Sequence, residues 1–252
     1  MEPHQCLNCG QLLNSKFCPD CGQKSNTHRI TIKRFLAHDL LHGVWHLERG
    51  MLFTIKEAIV RPGQAALDYI RGKRIRYYNV FYLSLLLIGV NALLIYFIRP
   101  YQPIENNNPN ENSLFKFLSE HAKLLVFAIV PVLAANAILV FRKIKLNFAE
   151  HLIVGGMCLI GIILSSIFWY LCDFGTQLLN SDLIAWSEVL FILILLLYPF
   201  WSYWNLTKTF YSLPGRLWRV SLFFILLLIE LVLAFMLINY LVTGAPEFEI
   251  LM

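Results

Sequence analysis

The stretch VSLFFILLLIELVLAFMLINYLV, residues 220–242, decides what kind of molecule this is. A single acidic side chain, Glu230, interrupts it. A helix of about 20 apolar residues crosses the hydrocarbon core of a bilayer. A run this long and this apolar therefore predicts a transmembrane helix, not one face of a soluble bundle. Four further runs of comparable character lie near 80–98, 121–141, 152–172 and 184–206. Together they predict an all-α integral membrane protein of about five spans. The composition agrees: 58% of the chain is apolar and 15% charged, against roughly 45–50% and 25% in soluble proteins.

The charge distribution orients the spans. Residues 1–79 carry twelve Lys/Arg and six Asp/Glu, a net +6 against +5 for the whole chain, so the positive charge resides before the first span and the rest is close to neutral. Arg71, Lys73, Arg74 and Arg76 precede that span, Arg142, Lys143 and Lys145 follow the second, and Lys208, Arg216 and Arg219 follow the fourth. Short loops rich in Lys and Arg stay on the cytosolic side. The 173–183 loop and the tail after 242 hold neither residue. The expected topology places the N-terminus in the cytosol and the C-terminus outside, in an inner (plasma) membrane. Trp186, Trp201, Trp204 and Trp218 stand near predicted span ends, as in an aromatic belt. The polar first 30 residues contain no signal-peptide core.

Three parts follow: a head at 1–27, juxtamembrane helices at 28–79 and a bundle at 80–252. In the middle part, apolar residues at 32, 36, 40, 44 and 47 have a helical period. Pro62 must end the helix that approaches it, and Gly72 suits the C-terminal cap of the next. Neither helix reaches spanning length. They read as amphipathic helices on the inner leaflet or packed under the bundle, with a soluble helical subdomain as the alternative. No internal repeat stands out.

The head contains CLNCGQLLNSKFCPDCGQK, residues 6–24. Cys6, Cys9, Cys18 and Cys21 have the spacing of two metal knuckles, and four thiolates make a closed tetrahedral site that suits structural zinc, one per chain. Disulfides are disfavoured on a cytosolic face, whereas an iron centre would use the same ligands. A closed site offers no position to a substrate, so its role is structural or recognitive. Cys158 and Cys172 fall in the third span and read as packing residues.

Read in order, CLNCG…FCPDCGQK, HRITIKRFLAHDLLHGVWHLERG and RPGQAALDYIRGKRIRYYN resemble an uncharacterised domain-of-unknown-function family of bacterial inner-membrane proteins. The resemblance covers roughly residues 4–82. Members often carry proline where Val80 stands. The resemblance implies a multi-span protein with a zinc-ribbon-like head and implies no established activity.

Two other constellations are candidates. His38, His42 and His46 recur every fourth residue, on one helical arc, where an i, i+4 pair can hold a metal or move protons. Asp39 and Glu48 are near enough to assist. The plainer reading is a wet edge on an interfacial helix. Glu230, deep in the last span, should face the bundle interior, and Asn91 lies at a comparable depth to hydrogen-bond with it. That pair suggests a proton or solute path, or simply a polar clasp between helices. Asn136 reads as nearer the cytosolic end, and Glu188 as interfacial. Gly161-x-x-x-Ser165 allows close helix packing, and Pro131 interrupts the second span. The collar Arg71, Lys73, Arg74 and Arg76 is placed to meet anionic lipid headgroups. No nucleic-acid partner is expected. No nucleotide loop, nucleophile elbow or H-E-x-x-H motif is present. The function these features favour is a non-catalytic scaffold or regulator that binds a cytosolic protein. The alternatives are a transporter using Glu230 and Asn91, and a metal-handling membrane enzyme using His38, His42 and His46.

Overall fold

In the computed structural model, the described residues are 4–25, 29–31, 50–98, 113–179 and 184–243. His38, His42, His46, Asp39 and Glu48 lie outside them. A two-stranded antiparallel ribbon, β1 (His4–Gln5) and β2 (Leu12–Leu13), opens the chain. Among the described residues seven α-helices follow: α1 (Gly50–Val60), α2 (Pro62–Ile70), α3 (Val80–Ile98), α4 (Ser113–Val140), α5 (Phe148–Leu179), α6 (Ile184–Thr207) and α7 (Leu213–Thr243).

Among the described residues, four segments are long and apolar enough to cross a membrane: Arg74–Ile98, Phe148–Gly175, Val189–Thr207 and Leu213–Val242. The fifth expected span, 121–141, lies within α4, but its apolar part is shorter, Leu124–Val140. At 1.5 Å per residue that segment covers about 25 Å, a turn less than the usual core. Glu120, His121 and Lys123 precede it and shorten the apolar run. Both α4 and α6 continue through an internal proline, Pro131 and Pro199.

α5 is the hub. Of its apolar window, 61% is buried, against 22% in α3 and α6 and 11% in α7. Small residues make this possible. A Cβ on Gly155 would meet Val130 of α4, one on Gly156 would press on Val80 of α3, and one on Gly161 would overlap the Tyr198 ring of α6. The Tyr198 hydroxyl reaches past Gly161 to donate to the Ala58 carbonyl of α1. The outer flank of α7 stays exposed, including Val232, Leu233 and Leu237. That is the expected state of a helix whose solvent is lipid.

The juxtamembrane helices are part of the same core. Ala58, Ala65, Ala66 and Leu67 are buried together with Leu83, Val154, Tyr203 and Leu206. Pro62 occupies the first position of α2, where its missing N–H costs no hydrogen bond. Gly72 closes α2 at φ +107, in the left-handed region that glycine enters without strain. α1 is tied to the entry of α3 by Thr54, whose hydroxyl accepts the Tyr78 backbone N–H at 2.7 Å.

The three basic segments meet at one end of the bundle. The Arg71 guanidinium lies 5.8 Å over the Phe210 ring, and the Lys143 N–H donates to the Tyr211 hydroxyl. Arg29 donates to the Lys145 carbonyl and, through two nitrogens at 2.9 Å, to both oxygens of Glu150. Glu150 and Asn147 form a reciprocal cap on α5, the Asn-x-x-Glu pattern of a capping box.

Asp68 anchors the C-terminal end of α2 to Lys73 at 2.8 Å and to Arg61 at 3.4 Å. Burial is the largest influence on its carboxyl and acts to raise its pKa. The hydrogen bond and charge of Lys73, the charge of Arg61 and the Tyr77 hydroxyl together outweigh it and hold the pKa below the ordinary range. A depressed carboxylate adds stability above its unfolded pKa, about 4, and loses that contribution as pH falls through the folded value. The difference in melting temperature between wild type and Asp68→Asn is therefore expected to be constant above about pH 5 and to vanish in stronger acid. Melting both proteins across that range checks it; a difference that persists in acid would refute the ionic origin.

Candidate metal centre

The head is built from one local design used twice. CLNCGQ and CPDCGQ, residues 6–11 and 18–23, are the same Cys-x-x-Cys-Gly-Gln hexapeptide, a repeat too short to stand out along the chain. In the first copy the Cys6 N–H donates to Gln11 O and Gly10 N–H to Cys6 O, both at 2.8 Å. In the second, Cys18 N–H donates to Gln23 O at 2.8 Å and Gly22 N–H to Cys18 O at 2.9 Å. Gly10 and Gly22 take φ of +81 and +74, a turn that a side chain would strain.

The two turns face each other. Cys6 and Cys21 sulfurs lie 3.6 Å apart, Cys9 and Cys18 sulfurs 3.5 Å apart. All four lie within 4.8 Å of one another. A zinc–sulfur bond of about 2.3 Å implies tetrahedral edges of about 3.8 Å, so the four sulfurs fit one cation of that size. None is in a disulfide. Cys6 and Cys18 are buried and Cys9 is exposed, so the cluster sits at the surface with one side sealed. Ionisation is uneven across it. Burial opposes the Cys21 thiolate, but hydrogen bonds from the Asn8 side chain, the Gln23 backbone and neighbouring thiols pull its pKa down to about 6. Cys9 goes the other way, to about 12: the Gln11 backbone favours its thiolate, but desolvation and the crowd of other sulfurs outweigh that help. A bound cation resolves the conflict because thiolates are its ligands.

The second knuckle is also a fastener. Gln23 is buried, and its amide donates to the Gly72 carbonyl at 2.5 Å while its oxygen accepts the Ile75 N–H at 3.4 Å. Arg76 returns the contact, donating to the Asn8 side chain at 2.9 Å and its carbonyl at 3.2 Å. The head is thus fixed to the segment that leads into α3. Gln11, the counterpart of Gln23, is exposed. Nothing in the repeat itself distinguishes the two glutamines.

The basic collar makes contacts of its own within the protein. Lys73 pairs with Asp68, Arg76 holds Asn8, Arg71 lies over Phe210 and Arg74 over Tyr69 at 5.9 Å. All four cations meet groups of the protein.

The intramembrane polar residues pair differently from the expected Asn91–Glu230 bond. Asn91 donates to Ser166 of α5 at 2.5 Å. Glu230 accepts from buried Asn136 of α4, also at 2.5 Å. Phe141, just past α4, packs on Phe223 of α7 with ring centroids 5.4 Å apart. Five residues back along α4 and seven forward along antiparallel α7 bring Asn136 and Glu230 to one depth. Depth counted along the apolar run points to the wrong partner because α7 starts at Leu213, well before that run. Glu188 and Trp186 lie in α6, their side chains outside the described set.

Replacing Glu230 by leucine strands the Asn136 amide and is expected to cost about 1–2 kcal/mol. Gln preserves an acceptor and should be near neutral. Removing both partners should recover most of the loss, with a coupling of about 0.6–1.7 kcal/mol. Unfolding of the four proteins in detergent measures that cycle; additive losses would show that the two side chains do not pair.

Fold and site together define a helical protein of membrane type, with four apolar helices of spanning length and a four-cysteine cluster that could hold a metal ion. Residues 48–88, which cover α1, α2 and the first half of α3, match the model of an uncharacterised family described as Protein of unknown function (DUF3667). The match includes RPG and GKRIRYYN but not the cysteines. No curated protein and no solved structure matches the chain.

Proposed function

We propose that this protein is a non-catalytic membrane scaffold or regulator, with a head folded around one structural zinc ion that presents a surface to a cytosolic protein. Residues 1–27 are the head, 28–79 its juxtamembrane support and 80–252 the bundle. The observation that carries the reading is the closed set Cys6, Cys9, Cys18 and Cys21, bolted to the entry of α3 through Gln23 and Arg76. Four thiolates complete a tetrahedron and leave a substrate no place to coordinate. Such a site orders a surface; here it orders one rigidly joined to a membrane helix. The protein sits in the inner membrane with this end in the cytosol, where thiols stay reduced and basic loops remain, and its C-terminus is outside. The transporter reading is weaker, since Glu230 already has a protein partner in Asn136.

Elemental analysis of the full-length protein in detergent tests the metal assignment. One zinc per chain, unchanged when His38, His42 and His46 are replaced, is the expected result. A second metal lost with those histidines would move the reading to metal handling or metal-dependent chemistry. A partner captured by the wild type should be lost with Cys9→Ser/Cys18→Ser, while the helices stay folded. A partner set that survives head unfolding would overturn the scaffold role.

A further inference from the structure

A second basic cluster lies at the same end of the bundle, away from the cage. A cavity of about 690 Å³ opens between the C-terminal end of α4 and the first turns of α7. Arg142, Lys143 and Arg219 line it, together with Tyr211 and Trp218. No carboxylate residue lines it, and among the described residues none of these three cations makes an ion pair.

Two of the cations, Lys143 and Arg219, are held in place by other means. The Tyr211 ring receives the Arg219 guanidinium at 4.6 Å and the Lys143 ammonium at 5.8 Å. Arg219 also donates to the Gly215 carbonyl at 3.0 Å and lies 5.1 Å over Trp218. The Tyr211 hydroxyl accepts the Lys143 backbone N–H, so the segment that carries Arg142 and Lys143 is tied to the residues just before α7, the helix that carries Arg219. Ser212, just before α7, and Gly215 in its first turn contribute to the wall, and the positive end of a helix adds to the attraction for an anion. Further along, the wall becomes aliphatic, with Leu139, Leu222 and Leu226. Leu139 and Trp218 are exposed on the outer surface of the bundle, so the cavity opens sideways toward the surrounding lipid.

We propose that this cavity is a binding site for an anionic phospholipid, its phosphate between Arg142, Lys143 and Arg219 and an acyl chain along Leu222 and Leu226. The gradation from charge to aliphatic surface selects the ligand. A free phosphate would use the cations and leave the aliphatic wall idle, and a neutral lipid would leave three cations unanswered. The inference does not rest on the zinc-dependent scaffold reading, because no residue of the head takes part.

Full-length protein in neutral detergent, titrated with tail-labelled phosphatidylglycerol, tests it. Saturable binding is expected, with phosphatidylcholine and inorganic phosphate failing to compete. Arg142→Gln/Lys143→Gln/Arg219→Gln should weaken binding about 100-fold, the combined effect of three headgroup contacts. Leu226→Trp, which fills the aliphatic end and leaves the charge unchanged, should weaken it about tenfold, roughly the effect of excluding a few methylenes. Lys16→Gln/Lys24→Gln, on the head, should leave it unchanged. Equal competition by inorganic phosphate would make this a free-anion site and overturn the proposal. So would full binding by the triple variant or by Leu226→Trp, or an equal loss with the lysine control, which would reveal diffuse surface attraction.

Discussion

Alanine in place of Gly63 is expected to lower the melting temperature of the detergent-solubilised protein by about 5–10 °C. Gly63 lies in the second position of α2, where that helix crosses α6. A Cβ there would overlap the Ser202 carbonyl oxygen and the Leu206 nitrogen and would stand 2.8 Å from the Leu206 Cα. All three are backbone atoms, so no rotamer change relieves the overlap; α2 must lift off α6. Lifting strains the Gln64 amide, which donates to the Asn205 carbonyl at 2.6 Å, and loosens Ala65, Ala66 and Leu206, all fully buried. Overpacking a well-filled site costs about 1–3 kcal/mol, and backbone neighbours put this one at the upper end. Alanine's better helix propensity returns less than about 1 kcal/mol. Gly89 is the control: it lies inside α3, and a Cβ added there would meet nothing within 4 Å. The same substitution there should leave the midpoint unchanged or raise it slightly. Equal melting of Gly63→Ala and wild type would mean that α2 does not press on α6 as described.

The second large effect concerns the cage. Cys9→Ser/Cys18→Ser removes half of the ligands and, on the zinc reading, the metal with them. Structural zinc sites in small domains supply about 10–16 kcal/mol of apparent binding energy, which there is the folding energy. The head has little else. Its strands are two residues each, and Leu7, Leu12 and Phe17 are all more than half exposed. The variant should therefore lose the head while keeping its helices, since the main core draws nothing from residues 4–25. Limited trypsin digestion checks this: Lys16 and Lys24 should be cut quickly in the variant and in chelator-treated wild type, and slowly in the metal-loaded protein. Helical circular dichroism should barely change. A protease-resistant head in the variant would show that something other than metal ligation holds it.

How much of this is legible in the chain differs from element to element. The long helices are, because lipid-facing surface leaves an apolar run that no packing detail can hide. Only α4 falls short, and the polar residues that shorten it stand in the sequence. Clustering of the four cysteines is legible because the Cys-x-x-Cys-Gly turn is local: its ligands and its positive-φ glycine lie within five residues. Gly72 is legible for the same reason.

Pairing is not. Depth in a helix can be counted along the chain, but the direction a side chain faces depends on which neighbour lies beside it and where that neighbour starts. Hence Asn91 turns to Ser166, and Glu230 finds Asn136. The RPG motif shows the same divide. Proline announces a helix boundary by its own chemistry, whereas the need for Gly63 comes from the backbone of α6, some 140 residues later in the chain. Charge count, too, is a property of sequence, but its use is tertiary: the collar cations meet groups of the protein, while Arg142 and Lys143, just past α4, and Arg219, in α7, line one cavity. What the sequence by itself determined is the membrane class, the helices and the thiolate cluster, all set by short-range periodicity and spacing. What only the tertiary structure decided is which polar groups meet, because those contacts depend on helix rotation and stagger, which no local pattern encodes.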